Sequence, residues 1–410
     1  MVPNDWQIKR FEEVAYVGNG QVDPREEPYL SMLHIGPENI ASNSGQLSGT
    51  KKCSDLNLVS GKYEFDKNAI VYSKIRPNLN KICRPDFSGV CSADMYPIWA
   101  KADLNIDYLF YYMLGESFYK TAVSMSMRTG MPKINRTDLD AININIPPLP
   151  EQQKIAEILT TWDKAINTTE RLIENRKQQK KALMQQLLTG QKRLLNDSGQ
   201  RFSGDWEEVQ LKTVLDLMKS GLSRKLENNN IGIAVIRSNN MGPKYTTDTE
   251  LKYWYLEDPQ GANVSNYILD NGDLLVNFIN SLSQIGKACI YKKINNTEAI
   301  YTTNILRIKP NLSRIDPVYL YLVTQTSKYD SYITSITKPA VNQASFTTKD
   351  FGNYLFDLPS LKEQQKIAAV LTNADREIEV LEQQLADLQQ EKKALMQQLL
   401  TGKKRVKVAG

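Results

Sequence analysis

Two stretches of the chain carry apolar residues in an alternating four-three step. The first runs through Ile155, Leu159, Trp162, Ile166, Thr169, Ile173, Arg176, Lys180, Leu183 and Leu187. The second runs through Ile367, Leu371, Ala374, Ile378, Leu381, Leu385, Leu388, Lys392, Leu395 and Leu399. A heptad seam sustained over this length, with no internal Pro or Gly, predicts two long helices that pair along one face. Pro147, Pro148 and Pro150 stand at the start of the first and Pro359 before the second, where proline is tolerated. Gly190 and Gly402 follow the last turns, where a left-handed stop suits glycine.

The two stretches are copies. EQQKIA at Glu151–Ala156 returns at Glu363–Ala368, and KKALMQQLLTG at Lys180–Gly190 returns at Lys392–Gly402, both 212 positions later. Equal length suits two rods lying side by side. Two amphipathic helices packed each on its own domain would not require it. Trp162 aligns with Ala374, so the copies are similar but not interchangeable, which suits pairing with each other.

The remaining pattern is mixed. Ala69–Ile75 and Tyr96–Ala100 read as strands, Ile106–Met113 reads as a helix, and polar loops such as Ser42–Thr50 separate them. Weak echoes link the halves. Asp5-Trp6 returns as Asp205-Trp206, Asn68–Ile82 shares its plan with Gly272–Ile290, and Asp107–Tyr112 resembles Asp316–Leu322. The expected order is a globular domain at 1–147, a helix at 148–190, a linker at 191–204, a second domain at 205–357, a second helix at 358–402 and a basic tail at 403–410. The fold class is α+β, with two globular α/β domains separated by two long helices in an antiparallel coiled coil and an approximate twofold relation. At 1.5 Å per residue each rod spans roughly 55–60 Å.

Composition narrows the function. The 410 residues carry a net charge of +5, compatible with a polyanionic partner. Four cysteines without metal-ligand spacing, an N-terminus lacking a signal peptide's apolar core and no stretch fit to cross a bilayer predict a cytoplasmic protein with no membrane partner. A single histidine, His34, excludes His-based triads and is given no role. No phosphate loop, HExxH site or dinucleotide fingerprint is present, and Ile146-Pro147-Pro148-Leu149 lacks the flanks of the amino-methyltransferase motif. No metal or catalytic constellation is expected.

The polar loops offer chemistry suited to DNA. In the first domain these are Ser73, Lys74, Arg76, Asn78 and Lys81, then Arg128, Lys133 and Asn135. In the second they are Arg237 and Asn239, then Asn277, Asn280, Ser281, Ser283, Gln284 and Lys287, then Asn342 and Gln343. Arg binds guanine, and Asn or Gln binds adenine, through paired hydrogen bonds; Lys and Ser mostly hold phosphates. Ordinary solvated loops are the competing reading. Trp6 and Trp206 read as core anchors, and Lys192-Arg193 and Lys403–Lys407 as solvated helix ends. Two domains held apart by a rod match inverted half-sites on duplex DNA, separated by an unread spacer.

PPLPEQQKIAEIL, LPSLKEQQKIAAVL and the repeated KKALMQQLLTG resemble the spacer helices of the specificity subunit of type I restriction-modification enzymes. NGDLLVNFINSLSQIGKACI, and less closely SKIRPNLNKI, resemble its target recognition domains. The resemblance spans essentially the whole chain. It implies a non-catalytic subunit that reads a bipartite, asymmetric target on double-stranded DNA. It also implies two methyltransferase (modification) subunits and restriction/translocase subunits as partners. This chain would hold no cofactor, with S-adenosylmethionine, ATP and Mg in the partners. The alternative is a non-enzymatic coiled-coil scaffold with two protein-binding end modules.

Overall fold

The computed structural model describes residues 3–127, 131–293, 297–340 and 343–407. Arg128 and Asn342 lie outside them. The chain divides into two compact units. Met1–Leu172 with Leu381–Gly410 form the first, and Ile173–Val380 form the second.

In the first unit, strand Gln7–Arg10 pairs antiparallel with Asn143–Ile146, Gln7 opposite Ile146. One four-stranded sheet has the order Ala15–Val17, Met95–Ala100, Ile70–Ser73, Ile82–Cys83. A second has the order Lys51–Lys52, Leu33–Ile35, Gly89–Cys91, Tyr63–Phe65, with Leu33–Ile35 parallel to Gly89–Cys91. Strand Ile70–Ser73 is buried throughout, and its Ile-Val-Tyr run is unbroken because it serves two cores. Ile70 and Tyr72 face the core built with helices Ile106–Leu114 and Glu116–Met125, and Val71 joins Ile35, Phe65 and Cys91 in the other. Side chains alternate across a strand, so a strand buried on both faces reads as an unbroken apolar run.

The second unit repeats this plan. Glu207–Gln210 pairs with Leu355–Leu358, Glu207 opposite Leu358. A four-stranded sheet runs Leu215–Ser220, Ile305–Pro310, Leu274–Asn277, Ala288–Ile290, and Ile233–Ile236 pairs in parallel with Ala299–Tyr301. Leu274 and Val276 face one core and Leu275 the other. The helical echo falls in a different register from the expected one. Asn105 and Asp316 are the corresponding caps, accepting from Tyr108 N and Tyr319 N, and the hydroxyls of those tyrosines donate to the Asn145 and Asp357 carbonyls. The cap decides the alignment, and Asp107 lies two residues beyond it.

The long helices span Leu149–Leu188 and Leu361–Leu399. In the first unit Ile155 and Leu159, near the start of one, share a core with Met396, Leu399 and Leu400 at the end of the other. In the second unit Leu183, Leu187 and Leu188 share a core with Ile367, Ala368 and Leu371. Within each unit the segments therefore run antiparallel. Ile155, Leu159, Ile166, Ile173, Leu187, Ile367, Leu371, Ile378 and Leu399 are buried; Trp162, Leu183, Leu381, Leu385, Leu388 and Leu395 are half-buried. Of the seam, Arg176 alone is exposed. Gly190 and Gly402 stop the helices at φ 71° and 73°, and the next-but-one amides, of Lys192 and Lys404, donate back to the Gln186 and Gln398 carbonyls.

Candidate nucleic-acid interface

Each unit gathers polar segments that are far apart in sequence onto one edge of a sheet. In the first unit the turn after strand Ile70–Ser73 meets the segment before the first long helix. Ile75 bridges Lys133, Arg76 N donates to the Pro132 carbonyl at 2.8 Å, and Ile134 N donates to the Lys74 carbonyl at 2.9 Å. In the second unit Ile279–Asn280, Ala344–Ser345 and Lys338–Pro339 form a small three-stranded sheet with Ile279 opposite Ser345. The correspondence follows from the registers. Ser73 N donates to the Lys81 carbonyl, and Asn277 N to that of Lys287. Ile75 thus matches Ile279, and Arg76 matches Asn280.

The Arg237–Asn240 segment joins this edge, because the Ser238 hydroxyl donates to Asn277 Oδ1 at 2.8 Å. A groove of about 1020 Å³ opens beside the turn, with Ser283, Gln284, Lys287, Asp330, Thr334 and Thr337 among its lining residues.

The candidate side chains divide by exposure. Arg76, Asn78, Asn239, Ser281, Ser283, Gln284, Lys287 and Gln343 are exposed, and Lys81, Lys133, Asn135, Arg237 and Asn280 are half-buried. Ser73, Lys74 and Asn277 are turned inward. The Ser73 hydroxyl donates to the Ile75 carbonyl. The Lys74 amine lies 5.1 Å from the Tyr96 ring centroid, and burial pulls its pKa below the usual lysine value. Lys81 donates to the Pro37 carbonyl, and Arg237 to that of Glu250. Asn135 caps helix Arg136–Asp140. These inward groups shape the presented edge. Residue type alone does not show this, because burial depends on how the strand packs.

The helix ends are largely exposed as expected, but two of their arginines also make ion pairs that the sequence did not announce. Arg405 forms a two-bond pair with Glu151 at 2.7 and 2.8 Å and also reaches Asp5. Arg193 pairs likewise with Glu363 at 2.6 and 2.7 Å. Glu151 and Glu363 are buried and accept from the indoles of Trp6 and Trp206. A buried carboxylate needs a partner, which draws the arginine in. Gln152 and Gln364 are also buried: each accepts from the cap residue of the neighbouring helix and donates to Pro147 and Pro359 carbonyls respectively. The available signal was the repetition of two polar residues, Glu-Gln, at a helix start.

The family model for the type I restriction modification DNA specificity domain matches residues 3–176 and again 203–390. The specificity subunit of the type I restriction enzyme EcoDI from Escherichia coli is 38% identical over 174 residues, which is 42% of this chain and only 38% of that protein's length. The MjaVIII specificity subunit from Methanocaldococcus jannaschii is 26% identical over 425 aligned positions, covering 99% of this chain and 94% of its own. In fold, the chain is similar to the S subunit of a type I restriction-modification system from M. genitalium. The TM-score is 0.58, with 13% identity and 97% of each chain covered.

Proposed function

Because the chain belongs to the family of type I restriction modification DNA specificity domains, we propose that it is the non-catalytic subunit that chooses the DNA target of such a system. Each unit reads one half of a bipartite site. The observation that carries this reading is the repeated edge: equivalent backbone in the two units presents Arg76 in one and Asn280 in the other. Matched scaffolds with unlike side chains suit an asymmetric target. The 40- and 39-residue helices suit a spacer of set length. Double-stranded DNA, two modification subunits and restriction/translocase subunits are the partners in this reading. S-adenosylmethionine, ATP and Mg act in those partners, in the cytoplasm. No helix among the described residues is long and apolar enough to cross a membrane.

The test is to replace residues 1–147 with the corresponding domain of another family member and map the methylated sites in cells carrying the intact system. One half-site changes and the other persists. A change in both halves refutes the modular reading. Sequence-independent binding by the native complex would favour the scaffold instead.

A further inference from the structure

Arg76 holds a left-handed backbone, φ 47° and ψ 59°, which an arginine rarely adopts. Its amide is fixed to the Pro132 carbonyl, and its own carbonyl accepts from Leu79 N. Glycine would take this conformation without strain, so nothing in the turn itself calls for an arginine. The side chain is what the position retains. That side chain is exposed, and among the described residues no acid or carbonyl pairs with it. The other described arginines of the first globular domain have partners, of which the exposed Arg10–Glu12 pair at 3.6 Å is the loosest. Arg10 pairs with Glu12, Arg25 with Asp23 and Arg84 with Asp107, while Arg136 donates to the Val17 and Gly18 carbonyls. A phosphate contact is served by a flexible lysine on relaxed backbone, whereas base reading needs a planar fork leaving a fixed point.

We propose that Arg76 is a base-reading residue that selects one guanine in the half-site of the first unit. This rests on the specificity-subunit reading. The two-nitrogen fork meets guanine O6 and N7 in the major groove. The corresponding Asn280 of the second unit has no such fork, so the two half-sites differ at the equivalent position.

The test selects binding sites from randomised duplexes with the full-length chain in its complex with modification subunits, comparing the native protein with Arg76→Ala, Arg76→Lys and Arg76→Gly. The native complex selects a guanine at one position of one half-site. All three variants lose roughly 5- to 150-fold of the preference there and keep the preferences at other positions. Arg76→Lys separates charge from fork, and Arg76→Gly, which relieves the backbone, unfolds no earlier than the native chain. The proposal is overturned if the variants weaken binding to every sequence alike with a salt slope shallower by about one, the mark of a phosphate contact. It is equally overturned if their selected sites match the native one. Should the native complex itself select no sequence, the specificity-subunit reading falls along with it.

Discussion

Lys392 donates to Asp163 across the helix pair of the first unit at 2.5 Å, although lysine occupies a seam position that apolar residues normally fill. Lys180 makes the equivalent pair with Asp375 in the second unit. Asp163 also accepts from the Tyr111 hydroxyl at 2.7 Å, and Asp375 accepts from Lys244 at 3.1 Å. Each aspartate thus joins the partner helix to its own globular domain. Replacing Lys392 by Met leaves the Asp163 carboxylate with the tyrosine alone. The expected loss is about 1–3 kcal/mol of unfolding free energy, read by urea denaturation. Adding Asp163→Asn recovers part of it. An additive double variant would mean that the two groups are not coupled.

Gly286 closes the turn that presents Ser281, Ser283 and Gln284. Its φ is 78°, and a Cβ there would come within 2.6 Å of Ile333 Cγ2. Gly286→Ala is expected to cost about 1–3 kcal/mol through backbone strain and the clash and to weaken recognition of the second half-site only. Ile333→Ala in the same chain removes the clash and restores part of that recognition. Footprinting of each half-site checks both outcomes, and equal weakening of the two halves would count against the assignment.

Asp258 is shut off from solvent and accepts from Arg224 at 2.6 and 3.0 Å, from Trp254 and from the Gln260 and Ala262 amides. The Arg224 guanidinium holds its carboxyl well below the usual range. A depressed folded-state value means that the ionised form favours the fold at any pH above the unfolded value of about 3.9. The contribution disappears as pH falls through that value towards the lowered one. The difference in thermal midpoint between the native chain and Asp258→Asn should be flat from about pH 5 to 8 and shrink below pH 4. A difference that grows on acidification would contradict this.

The helices bear on spacing. Removing one heptad from each shortens a helix by about 10.5 Å, equivalent to roughly three base pairs at 3.4 Å each. The methylated sites of such a variant should keep both half-sites and lose about three base pairs of spacer. An unchanged spacer would show that the helices do not set it.

The heptad spacing, the 212-residue repeat and the Pro and Gly boundaries are local in sequence. They alone determined the two helices and the duplication of the fold, because helix periodicity is written in neighbouring positions. The turn around Arg76 and the turn around Ser281 were legible as polar loops between apolar runs. Their pairing with Lys133 and Ser345 was not, because a bridge between residues far apart depends on how the sheets pack. For the same reason only the tertiary structure turned Ser73, Lys74 and Asn277 inward and drew Arg193 and Arg405 onto buried glutamates. Burial sets the cost of an unpaired charge, and burial belongs to the packed molecule, not to the order of its residues.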